Sequence, residues 1–175
     1  MKLNKYLFKS VTSTNDIAIK KIKQGMQSGL IIANKQTKGR GRYGNKWIYL
    51  KNNLFMSVFF KLNNNISLRK LTITSCKLVK KSLLKILNKK ITIKKPNDLL
   101  INNKKVCGIL QETMFYNKKR FVIVGIGINL FKSPSIKKYP TTHLSNYVKR
   151  VNKLLIIKNV KKQYEKKINY LKLIS

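Results

Sequence analysis

Apolar positions along the chain follow two spacings, one typical of strands and one typical of helices. Short apolar or alternating runs between polar residues predict strands. The predicted strands are Tyr6–Val11, Leu30–Ala33, Leu54–Lys61, Ile91–Lys94, Leu99–Ile101, Val106–Phe115 and Phe121–Val124. Among the turns between them, Asn102-Asn103 predicts a hairpin, Asn117-Lys118 marks a turn, and Asn63–Asn65 forms a turn or cap region.

Three segments repeat their apolar residues every three or four positions, which predicts helices. The first follows Ser13–Asn15, whose side-chain oxygens suit an N-cap, and it ends near Gln24 with Gly25 as a C-cap. The second spans Ser67–Leu87. The third carries the periodic apolar residues Ile157, Val160, Tyr164, Ile168 and Leu171.

This order of elements favours an α+β fold, with a mixed, largely antiparallel sheet flanked by helices, over a doubly wound α/β fold. The chain has no internal repeat or linker, so we expect residues 1–175 to form a single domain. No apolar run approaches the ~18 residues of a membrane helix. The first residues lack the pattern of a signal peptide, and we therefore expect a cytoplasmic protein without a membrane partner.

Charge is the most unusual feature of the composition. Forty Lys and Arg face four Asp and Glu, which gives a net charge of +36. Such a charge attracts polyanions, but the lysines are spread along the whole chain together with abundant Asn and Ile. That distribution favours a compositional bias from A/T-rich codons over a dedicated nucleic-acid surface. The bias makes the rare residues informative, namely the arginines and the acids Asp16, Asp98, Glu112 and Glu165.

Two arginines lie in one glycine-rich segment, Gly39–Gly44, within a polar stretch from Gln36 to Lys46. The segment matches the dinucleotide fingerprint G-x-G-x-x-G. However, the residues after it look extended rather than helical, and the next acid is Asp98, which argues against a dinucleotide site. The glycines allow close approach of a ligand. The planar guanidinium groups of Arg40 and Arg42 can each donate two hydrogen bonds to carboxylate or phosphate oxygens. A solvated basic turn is the alternative for this segment taken alone.

Several such segments occur together, and with them the chain resembles the biotin–protein ligase family from about residue 10 to residue 130. The matching pieces are Ser13-Thr14-Asn15, Gln36, Gly39-Arg40-Gly41-Arg42, Trp47, Pro96-Asn97-Asp98, Lys105 to Leu110 with Glu112, and Gly125-Ile126-Gly127-Ile128-Asn129. The resemblance implies the class II synthetase-like fold of biotin and lipoate ligases. It also implies a two-step reaction that uses biotin, ATP and Mg²⁺ and has a biotin carboxyl carrier protein as acceptor.

The resemblance also implies roles for individual residues. Ser13, Thr14 and Gln36 would bind the ureido ring of biotin, Trp47 would pack on its apolar chain, and Asn129 would face adenine. The full set of implied ligand-binding residues is Ser13, Thr14, Asn15, Gln36, Gly39, Arg40, Gly41, Arg42, Trp47, Lys105, Gly108 and Asn129.

The implied catalytic groups are the cations Arg40, Arg42 and Lys105, which would offset the repulsion between two anions, together with Asp98. Asp98 would hold Mg²⁺ or accept the proton of the attacking lysine, and Glu112 is a second metal candidate. These residues also have structural explanations that involve no ligand. Ser13 and Thr14 could cap a helix, Trp47 could belong to the core, and Asp98 could stabilise a turn.

The chain departs from the family pattern at Lys95, where relatives usually have Trp before Pro96-Asn97-Asp98. We expect neither an N-terminal DNA-binding domain, hence no specific DNA partner, nor the small C-terminal β-barrel of bacterial relatives. By analogy with relatives, the chain would form homodimers. The alternatives are a lipoate or octanoate ligase-type enzyme of the same superfamily, a slow, degenerate biotin ligase, and a non-enzymatic basic nucleic-acid-binding protein.

Overall fold

The computed structural model describes residues 2–62 and 67–173. The predicted turn at Asn63–Asn65 lies outside these residues. In chain order the elements are β1 (Lys5–Val11), α1 (Thr14–Lys23), β2 (Ser28–Gln36), β3 (Leu54–Leu62), α2 (Leu68–Leu83), β4 (Ile91–Lys94), β5 (Asp98–Ile101), β6 (Lys104–Tyr116), β7 (Lys119–Ile128), a 3-10 turn (Leu144–Asn146) and α3 (Lys153–Leu173).

The strands form one sheet of seven strands in the order β1-β2-β3-β7-β6-β5-β4, counted over the described residues. The β1–β2 pair is parallel, and the other described pairs are antiparallel. This arrangement confirms the predicted α+β class with a mixed, largely antiparallel sheet. The order also places β7 between β3 and β6, so residues distant in sequence meet at the centre of the sheet.

Helices cover both faces of the sheet, which explains why its central strands read as continuous apolar runs. Met56, Val58 and Phe60 of β3 belong to the large core that also contains the buried residues of α2 and α3. Phe59, which points to the opposite face, packs in a smaller cluster with Ala18 and Ile22 of α1. Alternate side chains of one strand therefore serve two cores.

Local sequence signals set most element boundaries. Ser13 caps α1, and its side chain accepts a hydrogen bond from the Asn15 amide. Asn102 and Asn103 have φ of 47° and 60°, and the equivalent turn at Asn117-Lys118 has φ of 47° and 59°. Left-handed pairs of this kind match the twist of two-residue hairpins, as the Asn102-Asn103 pattern predicted.

The boundaries differ most from the predictions in three places. Strand β7 continues to Ile128, beyond the predicted end at Val124, because β3 and β6 pair with it along its length. Strand β2 continues to Gln36, where it pairs with β1. Helix α2 ends at Leu83, four residues before the predicted Leu87, although the Leu87 side chain is still buried.

The N-terminal segment is tied to α3. The backbone amide of Leu3 donates to Glu165 Oε1 at 2.7 Å, and Lys161 forms an ion pair with the same carboxylate. Partial burial opposes the charged form of Glu165, but these two donors outweigh that effect and lower its pKa below the ordinary value. None of the described helices is both long enough and apolar enough to cross a membrane.

Candidate functional site

A cavity of about 310 Å³ lies between the glycine-rich loop and strands β6 and β7. Its volume is that of a small-molecule site. Most of the residues singled out in the sequence line it: Ser13, Thr14, Asn15, Gln36, Arg40, Gly41, Arg42, Trp47, Asp98, Lys105 and Gly108. Gly39 and Glu112 line an adjoining space beneath the loop. Asn129 borders a smaller space of about 20 Å³ beside Trp47 and Lys105.

A buried network of neutral polar groups forms one end of the cavity. The Thr14 backbone amide and hydroxyl donate to Gln36 Oε1 at 2.8 and 3.1 Å. Ser57 Oγ lies 2.7 Å from Thr14 Oγ1 and 2.5 Å from Asn15 Oδ1. One hydroxyl proton can serve only one of these acceptors, so the network offers alternative hydrogen-bond arrangements. Ser57 was missed in the sequence, where a polar residue inside the apolar run of β3 was the available signal.

Trp47 lies on a floor of glycines. Gly108 of β6 and Gly127 of β7 are paired in the sheet, and the indole packs against both. A Cβ at Gly108 would lie 2.6 Å from Trp47 Cζ3, and a Cβ at Gly127 would overlap the indole ring. Gly125 is equally close to the Asn15 amide. Gly125 and Gly127 were part of the recognised pattern but received no role, and they are the surface on which Trp47 and Asn15 rest.

Lys105 lines the cavity beside Asp98 and Trp47. Its Nζ lies 2.9 Å from Asp98 Oδ1, at an angle outside hydrogen-bond geometry, so the contact is an ion pair rather than a directed bond. The same ammonium lies 5.5 Å from the centre of the Trp47 ring and 5.0 Å from that of Tyr139. Tyr139, which borders the cavity, had no signal in the sequence that would single it out.

The turn between β4 and β5 places Asp98. Asn97 exchanges hydrogen bonds with Ile109: its side-chain amide donates to the Ile109 carbonyl at 2.8 Å, and its own carbonyl accepts from the Ile109 amide at 2.9 Å. Asp98 is thereby held opposite Gly108. Lys95, at the position where relatives usually have Trp, is exposed and lines the rim of the cavity. The rim at this point is therefore cationic rather than aromatic.

The two arginines of the loop have different surroundings. Arg40 forms an ion pair with Asp16 at 2.7 Å and contacts both oxygens of Glu112 at 3.3 Å. Burial opposes its charge, but the two carboxylates outweigh this and raise the pKa of Arg40. Arg42 donates to the Tyr43 hydroxyl at 2.8 Å, and among the described residues no carboxylate lies within ion-pair distance of it.

The carboxylates do not cluster as a metal centre. Within the described part of the chain, no group of three or more His, Cys, Asp or Glu side chains comes together. Asp98 is paired with Gly108, and Glu112 lies four residues further along β6, which corresponds to about 13 Å. Asp98 and Glu112 are therefore separate candidates and could not share one ion.

Neither cysteine takes part in the site. Cys76 and Cys107 are free and buried. Burial, together with the Asp98 carboxylate, raises the pKa of the Cys76 thiol to about 11. Burial likewise raises the pKa of Cys107. Both thiols are therefore protonated at neutral pH, which removes them as nucleophiles.

A glycine-rich loop beside a cavity that is lined by neutral polar groups and by cations defines a small-molecule-binding domain. Residues 7–129 match the biotin/lipoate A/B protein ligase family, and the chain belongs to that family.

Over 111 residues the chain is 39% identical to the bifunctional ligase/repressor BirA of Bacillus subtilis (strain 168), a match that covers 61% of this chain and 34% of that protein. It is 27% identical over 147 residues to biotin–protein ligase 2 of Arabidopsis thaliana, covering 81% of this chain and 43% of that one. The structure of the biotin protein ligase from Aquifex aeolicus in complex with biotin and ATP superposes with a TM-score of 0.80 at 29% identity, over 98% of this chain and 73% of that one. The chain thus spans less than half the length of these two curated relatives.

Proposed function

We propose that this chain is the catalytic domain of a biotin–protein ligase. In the first step the carboxylate of biotin attacks the α-phosphorus of ATP. This forms biotinyl-5′-AMP and releases pyrophosphate. In the second step the amine of a lysine on a biotin carboxyl carrier protein attacks the acyl carbon of the adenylate. An amide forms, AMP leaves, and the amine gives up a proton.

The observation that carries the proposal is the union of neutral polar groups and cations in one cavity. Thr14, Gln36 and Ser13 provide neutral donors and acceptors, which suit an uncharged ureido ring. Trp47 provides an apolar face beside them for an aliphatic chain. Similarity to a structure that holds biotin and ATP supports the same choice of ligands.

The cations that line the cavity suit the first chemical step. Biotin carboxylate and the α-phosphate are both anionic, so their approach requires positive charge that is already in place. Arg42 has its guanidinium free of carboxylates among the described residues, and Lys105 is held between two aromatic rings. We assign the charge compensation to these two residues. Arg40 was predicted to share that role, but its guanidinium contacts two carboxylates, Asp16 and Glu112, whereas the Lys105 ammonium faces one, Asp98.

Asp98 is the residue that we assign to Mg²⁺ or to the proton of the attacking amine. One carboxylate beside substrate phosphates is a normal donor set for Mg²⁺, and the Asp98 side chain is about a fifth exposed at 22%. A bound Mg²⁺ would neutralise phosphate charge. Both oxygens of Glu112 contact Arg40, and one of them also accepts from Asn15, so Glu112 is the poorer donor of the two.

The remaining assignments follow from position. Gly39 and Gly41 allow the loop to fold over the cavity, because a Cβ at Gly39 would lie 2.8 Å from the Trp47 carbonyl oxygen. Asn129 would face adenine from the far side of Trp47. The identity of the acceptor protein, homodimer formation and a cytoplasmic location stay predictions from the sequence.

The test is to incubate the purified chain with Mg²⁺, ATP and a biotin carboxyl carrier domain, and to supply either biotin or lipoate. We expect biotin to be attached to the carrier and AMP to be released, and we expect no product with a carrier whose acceptor lysine is replaced by arginine. Calorimetric titration with biotin should give a dissociation constant that is micromolar or tighter. If only lipoate were attached to the carrier, the chain would be a lipoate ligase of the same family and the proposed function would be wrong.

A further inference from the structure

Acidic residues are scarce in this chain, and two of them meet at one arginine. Four Asp and Glu stand against forty Lys and Arg in the sequence. Arg40 Nη1 lies 2.7 Å from Asp16 Oδ1, while Arg40 Nη2 lies 3.3 Å from Glu112 Oε1. The three side chains come from different elements: Asp16 from the first turn of α1, Glu112 from β6, and Arg40 from the glycine loop. The contact therefore ties the loop to a helix and to the sheet.

Both carboxylates are held in place by further bonds. The Thr12 hydroxyl donates to Asp16 Oδ2 at 3.1 Å, and the Asn15 side-chain amide donates to Glu112 Oε2 at 2.6 Å. Each acid therefore presents an oriented oxygen to Arg40. Because the guanidinium is planar and can contact two carboxylates at once, the geometry of the pair restricts the position of the loop.

The position of Arg40 is passed on to Trp47 through the backbone. Arg40 forms a β-bridge with Lys46, and the Trp47 amide donates to the Gly39 carbonyl at 2.9 Å. The two sides of the loop thus move as one hairpin. In this position Trp47 lies on Gly108 and Gly127 and lines the cavity.

We propose that Asp16 and Glu112 are positioning residues for the glycine loop: by holding Arg40 they keep Trp47 in place beside the ligand site. The inference rests on the proposed function only in taking the ligand to be biotin. The side chains of Arg40 and Asp16 are 40% and 31% exposed. Each ion pair therefore contributes only modestly to the stability of the glycine loop, and salt screens it. Loss of the contact therefore opens the loop without unfolding the domain.

The first experiment needs no ligand, because the chain has a single tryptophan, Trp47. We expect Asp16→Asn to increase quenching of Trp47 fluorescence by the neutral quencher acrylamide, and Asp16→Glu to restore the wild-type value. Glu165→Gln, which removes the same charge from an ion pair on α3, is the matched control and should not change quenching. High salt should increase quenching more in the wild-type protein than in Asp16→Asn, which retains only the Glu112 pair. Equal quenching in Asp16→Asn and Glu165→Gln would overturn the proposal.

The second experiment measures biotin dissociation by stopped-flow. Asp16→Asn removes one partly exposed pair, which corresponds to about a two- to fivefold faster dissociation, and Glu165→Gln should cause no change. A dissociation rate equal to that of wild type would contradict the proposed role. If the wild-type chain binds no biotin, the proposed function fails, and the fluorescence experiment still decides whether Asp16 holds the loop.

Discussion

Gly108→Ala is the substitution for which the structure makes the sharpest prediction. The added Cβ would lie 2.6 Å from Trp47 Cζ3, and 3.2 and 3.3 Å from Cε and Nζ of Lys105. A favourable contact between carbon atoms is about 3.5–4.0 Å, so the indole must move by roughly 1 Å. The new methyl group therefore shifts two residues that we place at the ligand.

The cost to stability and the cost to activity should differ. Trp47 is only partly buried, and it can tilt toward the cavity, so we expect the free energy of unfolding to fall by about 1–3 kcal/mol. Misplacement of a positioned group by about 1 Å can slow a reaction on the order of 10²-fold. Adenylate formation should therefore fall by about that factor in a protein that is still folded at 25 °C.

Rates of pyrophosphate release with saturating biotin and ATP would measure the activity, and thermal unfolding would measure stability. Gly25→Ala is the control: Gly25 has φ of 89° and open space around it, so alanine there strains the backbone without touching Trp47. We expect this control to lower stability and keep the rate. If Gly108→Ala kept the wild-type rate and left Trp47 fluorescence emission unchanged, Gly108 would not be needed to position Trp47 and Lys105.

Three further predictions follow from charge and burial. Arg42→Ala should slow adenylate formation by about 10²-fold or more because it removes charge compensation, whereas Arg150→Ala should stay within about twofold; equal rates would remove the loop from the mechanism. Cys76 and Cys107 should react with a thiol reagent at pH 8 only after denaturation, since both are buried and the pKa of Cys76 is raised to about 11; rapid labelling of the native protein would contradict this. The lowered pKa of Glu165 means that its carboxylate stabilises the fold above the ordinary pKa of 4.5, and that this contribution is lost as the pH falls through the lowered value. Unfolding measured between about pH 7 and pH 3 should therefore show a smaller decline in Glu165→Gln than in wild type, and parallel curves would disprove the linkage.

Local sequence patterns predicted the structure correctly wherever a residue and its neighbours in the chain determine the backbone conformation. Ser13 caps α1 because its side chain reaches a backbone amide two residues away. The Asn102-Asn103 turn takes left-handed φ angles that asparagine tolerates. The central strands were visible because burial on both faces leaves a continuous apolar run, as in Leu54–Leu62.

Predictions fell short where a residue's role depends on a partner distant in sequence. Strand β7 extends through Gly125 and Gly127, which break the apolar pattern but are held by β3 and β6. Tyr139 matters because it faces Lys105, and nothing near it in the sequence indicates this. The sequence pointed to Glu112 as a metal candidate, and only the tertiary structure places its carboxylate against Arg40.

The sequence by itself determined the fold class, the capped helix and hairpins, and a glycine-arginine loop that stands out in a lysine-rich chain. Tertiary structure alone decided which of the two loop arginines is free. Arg40 and Arg42 have the same chemistry and lie two residues apart, but the sheet and α1 bring two of the rare carboxylates to Arg40 and none to Arg42 among the described residues. The reason is physical: the interaction of a charge depends on its distance from other charges, and that distance is set by packing.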